Sequence, residues 1–74
     1  MRVTVKLFAT LQKDRFGVIE GEFPEGTTVG DIVRHYGVPE KDVTLIFING
    51  RHGEFETGLS DGDTLALFPP VGGG

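Results

Sequence analysis

The sequence predicts an α+β domain in which one short helix packs on one face of a mixed sheet of four to five strands. Three observations predict it. Segments near both ends alternate apolar and polar residues with the period of a half-buried strand. A single apolar stripe, Val29, Ile32, Val33 and Tyr36, has the spacing of a helix face. The 74 residues, 38% apolar and 24% charged, leave room for one domain only. A two-turn helix is unstable alone and must lie against a sheet.

In the first strand, Arg2 to Ala9, residues Val3, Val5 and Leu7 alternate with Thr4, Lys6 and Phe8. After a polar stretch, Gly17 to Phe23 sets Ile19, Gly21 and Phe23 against Val18, Glu20 and Glu22, a second strand hairpinned to the first and closed by Pro24-Glu25-Gly26. Thr28 stands three residues before Asp31, so its hydroxyl can cap a helix from Val29 to Tyr36 while the carboxylate faces the positive helix end; Gly37 and Pro39 supply the stop. Val43 to Ile48 is almost continuously apolar, as in a strand covered on much of both faces, and Asn49-Gly50 turns it. A weak strand is expected over Glu54 to Glu56. Asp61-Gly62 then leads into a last strand, Thr64 to Phe68, stopped by Pro69-Pro70, which remove two ladder donors. The first strand is expected to pair with this last one in parallel.

A chain this short buries only about 60% of its extended surface, so its core is small. It has no cysteine, which excludes disulfide staples, thiolate metal sites and a thiol nucleophile and suits a reducing compartment. Its net charge of −4 argues against nucleic acid as a partner and for a protein partner with a basic surface. Met1 to Lys6 alternates instead of opening an apolar segment, and no run reaches transmembrane length. The expected location is the cytoplasm, with no membrane partner.

The oddest feature is the C-terminal end. Pro69-Pro70-Val71 makes a stiff extended exit, followed by Gly72, Gly73 and Gly74. A frayed terminus accounts for these glycines; so does a probe built to enter a narrow slot, where only glycine lets a backbone pass between close walls. A terminal carboxylate is a poor electrophile and needs prior activation to acylate anything. The chain lacks a phosphate-binding loop with a following Lys-Ser or Lys-Thr, so activation must come from another protein. His52, Glu54 and Glu56 alternate and are competent metal ligands, although a solvated strand face explains them as well. His35 reads as an exposed helical residue, no serine lies near either histidine in sequence, and the turn explains Asp61 and Asp63. If Leu7, Leu65 and Leu67 face the helix, Phe8 and Phe68 face outward and meet at the end from which the tail leaves. Ile46 or Ile48 is expected to join them. Such a patch reads either as a greasy second face or as a docking surface.

Three segments carry a family resemblance: Val43-Thr44-Leu45-Ile46-Phe47-Ile48-Asn49-Gly50, Leu59-Ser60-Asp61-Gly62-Asp63-Thr64-Leu65, and Phe68-Pro69-Pro70-Val71 leading to Gly73-Gly74. Over essentially the whole chain the sequence resembles the β-grasp sulfur carriers, relatives of ubiquitin. These are the MoaD-like small subunit of molybdopterin synthase and the ThiS-like carrier of thiazole synthesis. Phe-Pro-Pro-Val resembles the molybdopterin branch more specifically. The resemblance implies a β-grasp domain over residues 1–71 and a reactive tail over 72–74. It implies that an activating enzyme adenylates Gly74 with ATP and that a sulfur donor makes the thiocarboxylate. The tail, with Gly72 and Gly73, then enters the catalytic large subunit of molybdopterin synthase or an equivalent acceptor. The chain itself is expected to be a carrier, not an enzyme, and to bind no cofactor or metal. Phe8, Phe68, Pro70, Val71 and Ile46 are the expected partner-binding residues. His52 and the third glycine, Gly72, depart from the molybdopterin pattern. Carriers for thiazole or other thiolation, and a protein modifier forming isopeptide bonds, share the same activated terminus.

Overall fold

The computed structural model describes residues 1–70. Its strands are β1 (Arg2–Leu7), β2 (Val18–Glu22), β3 (Leu45–Ile48), β4 (Arg51–His52) and β5 (Thr64–Phe68), with one helix, α1 (Val29–His35). They form one five-stranded sheet in the order β2-β1-β5-β3-β4. β1 and β5 run parallel at its centre, with Val5 opposite Leu65 and Leu7 opposite Leu67, and the other neighbours are antiparallel. The alternation therefore holds: Val3, Val5, Leu7, Leu65 and Leu67 are at most 1% exposed, against Val29, Ile32 and Val33 of the helix.

The helix ends are closed by the residues that announced them. Thr28 Oγ1 accepts the N–H of Asp31 at 3.2 Å, and Asp31 accepts the N–H of Thr28 at 3.0 Å, a reciprocal capping box. At the other end Gly37 takes φ +69°, and the N–H groups of Val38 and Gly37 donate to the carbonyls of Val33 and Arg34. This left-handed closure favours glycine, and it turns Val38 back into the core.

Two expectations are corrected. The weak strand lies at Arg51–His52 and not at Glu54 to Glu56. Asn49 and Gly50 both have positive φ, 53° and 81°, so this tight turn returns the chain at once along β3, pairing His52 with Phe47. The following segment serves the helix instead. The carbonyls of Thr57 and Phe55 accept the N–H groups of Val29 and Gly30, donors in the first turn that have no partner within the helix. The first strand also stops at Leu7 and not at Ala9, because Ala9 adopts φ +52° and opens a short 3₁₀ turn, Ala9–Gln12, that buries Leu11. No helix among the described residues is long and apolar enough to cross a membrane.

Candidate functional site

The face of the sheet opposite α1 carries the outward residues of every strand. Because β1 and β5 are parallel and in register, Phe8, next after Leu7, lies beside Phe68, next after Leu67. Their rings stack with centroids 4.4 Å apart and planes 9° from parallel. Phe47 meets Phe68 edge-on at 5.8 Å, and His52 meets Phe47 edge-on at 6.2 Å. The backbone holds this cluster in place: Phe8 N–H donates to Leu67 O, and Thr44 N–H to Phe68 O. Phe8, Leu45, Phe47 and Phe68 all remain half-exposed, so the aromatic end of the face is open to solvent.

Ile46 does not belong to this face. It is 5% exposed, and its ladder partner is Leu67, a core residue. Ile48 pairs with Leu65 and packs against the core in the same way. A side-chain period of two places the intervening Leu45 and Phe47 outward instead. These are the residues that sequence reasoning missed. The run Val43 to Ile48 is apolar at nearly every position, so its parity was set only by the ladder to β5, whose inward residues were already identifiable.

β5 ends at Phe68, with Pro69 half-buried and Pro70 exposed after it. The chain thus leaves the sheet from the end where Phe8 and Phe68 stack. Val71, Gly72, Gly73 and Gly74 lie outside the described residues.

The charges of this face are segregated. At the end remote from the tail, Arg2 Nε lies 3.3 Å from Glu22 and 3.9 Å from Glu20. At the aromatic end the row across the sheet reads Val18, Lys6, Ala66, Phe47 and His52. Val18, at 61%, is the exposed large apolar residue among the described residues.

Other candidate groups are accounted for structurally. Asp61 accepts the Arg2 backbone N–H at 2.7 Å, and Asp63 accepts from Ser60 N–H and the Asn49 amide, both at 2.8 Å, so the pair builds the turn into β5. Asp31 is held below its ordinary value of 3.8, first by the Thr28 backbone N–H, then by the Thr28 hydroxyl and Arg34. His52 Nδ1 lies 3.5 Å from Glu54, but Glu54 and Glu56 stand in the turn beyond β4, and no group of three or more potential ligands forms a metal site among the described residues. His35 is exposed, against the edge of Phe23.

The sheet order, the single helix across it and the aromatic end from which the chain departs define a ubiquitin-like β-grasp protein. A family model describes residues 5–74 as the ThiS family. The chain belongs to the ThiS family, of ThiS- and MoaD-like ubiquitin-like sulfur carriers, whose small proteins are generally non-catalytic. Among solved structures it is similar to a putative molybdopterin converting factor, subunit 1, from Pyrococcus furiosus, with 32% identity, 96% of this chain and 99% of the other covered, and a TM-score of 0.78. It is similar to SAMP1, the small archaeal modifier protein 1 of Haloferax volcanii, with 26% identity, both chains covered at 100% and a TM-score of 0.78. It also resembles a chain of the complex of subunits 1 and 2 of the molybdopterin-converting factor from Helicobacter pylori, with 25% identity, both covered at 100% and a TM-score of 0.67. A search of curated protein sequences found no match.

Proposed function

We propose that this chain is a cytoplasmic sulfur carrier for molybdopterin biosynthesis, and that Gly74 is the group that carries the sulfur. A partner enzyme adenylates the Gly74 carboxylate with ATP and releases pyrophosphate, a donor's sulfide-level sulfur attacks the acyl carbon as AMP leaves, and the resulting thiocarboxylate passes its sulfur on within the catalytic large subunit. The chain binds no cofactor itself. Phe8 and Phe68, joined by Phe47 and Leu45, dock the folded body, while Pro70 and Val71 direct Gly72 and Gly73 into the partner's slot.

The observation that carries this reading is the stacked Phe8–Phe68 pair at the end of the central strands, next to the exit toward the glycines. A half-exposed aromatic cluster is a natural binding anchor. Its position lets body and tail engage one partner together. Similarity to two molybdopterin converting factor proteins supports the choice of pathway, and the two-subunit complex among them supports a large-subunit partner.

Intact-mass analysis of the chain incubated with its activating enzyme, ATP and a sulfur donor tests the proposal. The expected result is replacement of one oxygen by sulfur at Gly74. Sulfur on any other residue, or no change with an enzyme that forms the adenylate, overturns it. Similarity to SAMP1 over the full length of both chains favours a second use of the same terminus, attack by a lysine amine to form an isopeptide. Higher-mass conjugates carrying a Gly-Gly remnant would mark that use.

A further inference from the structure

We infer that Lys6 dictates the chemistry of the surface this face docks: an apolar partner surface that sets a carboxylate against Lys6. The inference rests on the docking role proposed for the aromatic face and specifies its partner. Lys6 stands in the row where the apolar patch meets the polar row of Glu20, Thr4 and Thr64. Its neighbours across the sheet are Val18 on one side and Ala66 on the other, followed by Phe47, and the Phe8–Phe68 stack lies one step nearer the exit. The side chain is half-buried before any partner arrives.

Among the described residues, Lys6 makes no ion pair. Glu22 is drawn to Arg2 at the other end of the face, Glu20 stands opposite Thr4 and approaches Arg2 at 3.9 Å, Glu54 lies beside His52, and Asp61 and Asp63 are engaged in their turn. Covering this patch with a wholly apolar surface would strip water from an unpaired ammonium, which is strongly unfavourable. A partner that excludes water here must therefore supply the counter-charge. A second copy docked through the same face about a two-fold axis passing near Lys6 would bring Lys6 toward Lys6, which disfavours self-association centred there. The net charge of −4 governs long-range approach to a partner, whereas Lys6 governs register once the faces meet.

The test measures calorimetric affinity of the full chain for its adenylating enzyme, with sedimentation of the free chain alongside. Lys6→Arg should bind within about threefold of the parent, Lys6→Gln about 30-fold more weakly, and Lys6→Glu at least about 100-fold more weakly. Lys6→Met retains most of the aliphatic stem and should resemble Lys6→Gln. A zero-length carbodiimide should link Lys6 to an Asp or Glu of the enzyme, identified by peptide mass spectrometry. Phe68→Asp separates the two levels of inference. If it abolishes binding while Lys6→Gln and Lys6→Met bind as well as the parent and Lys6 forms no cross-link, the face docks without a carboxylate and this inference alone fails. If Phe68→Asp binds like the parent, the docking role fails and takes this inference with it. A parental dimer that Phe68→Asp dissociates would make a second copy the occupant and overturn the proposal.

Discussion

Ile46 and Phe47 are consecutive in the chain and have opposite fates. Ile46 sits over the core opposite Leu67, whereas Phe47 joins the open aromatic cluster with Phe68. Ile46→Ala removes buried methyl groups and leaves a cavity, so it should cost about 2–4 kcal/mol in urea unfolding. Phe68→Asp removes a half-exposed ring and its stacking partner interaction, so it should cost no more than about 1.5 kcal/mol. A reversed order would place Phe68 in the core and Ile46 on the surface. At this scale the outward facing of Phe8 and Phe68 was legible, because β1 and β5 alternate cleanly with Leu7, Leu65 and Leu67 on the other side. Ile46 was misassigned because an almost unbroken apolar run carries no parity of its own; only pairing with β5 defines it.

At the scale of elements, local signals were legible and non-local ones were not. Thr28, Asp31 and Gly37 act within a few residues of themselves, so the helix and both closures could be read directly. The turn at Asn49-Gly50 was legible too, but the following residues were read as a strand because no local pattern reveals that the first N–H groups of the helix take their acceptors from residues 55 and 57. Thr28→Ala should lower stability by about 1 kcal/mol, a fall of roughly 4–8 °C in thermal midpoint. Asp31 contributes with a defined pH sense. Its folded-state pKa is depressed, so its stabilising contribution is fully present above the ordinary value of 3.8 and is lost as pH falls through the lower folded value. Asp31→Asn should therefore be less stable than the parent at neutral pH, and the difference should shrink as both are titrated below the ordinary carboxylate range. A difference that persists unchanged to the lowest accessible pH would show that ionisation of Asp31 is irrelevant to the cap.

For the whole molecule, the division of labour between a folded body and its last residues turns on why those residues are glycine. Fixing a backbone residue costs roughly 1–2 kcal/mol, and glycine loses more freedom than any other residue, so ordering Gly72 to Gly74 in a slot costs on the order of 3–6 kcal/mol or more. Glycine is thus a poor choice for affinity. It is a good choice where the slot admits no side chain and the aromatic face of the body supplies the binding energy. Gly73→Val should accordingly fold like the parent and retain docking through Phe8 and Phe68, yet lose most adenylation and thiocarboxylate formation, because a β-branched residue both widens the chain and restricts its backbone. Deleting Gly74 should be comparably damaging, since it withdraws the carboxylate by up to about 3.5 Å from the position at which it must react. Single-turnover adenylation and sulfur transfer, measured beside calorimetric binding to the same activating enzyme, distinguish the two contributions. Binding retained with chemistry lost is the expected pattern, and near-parental rates in both variants would reduce the glycines to a frayed end and remove the physical basis for placing the reactive group there.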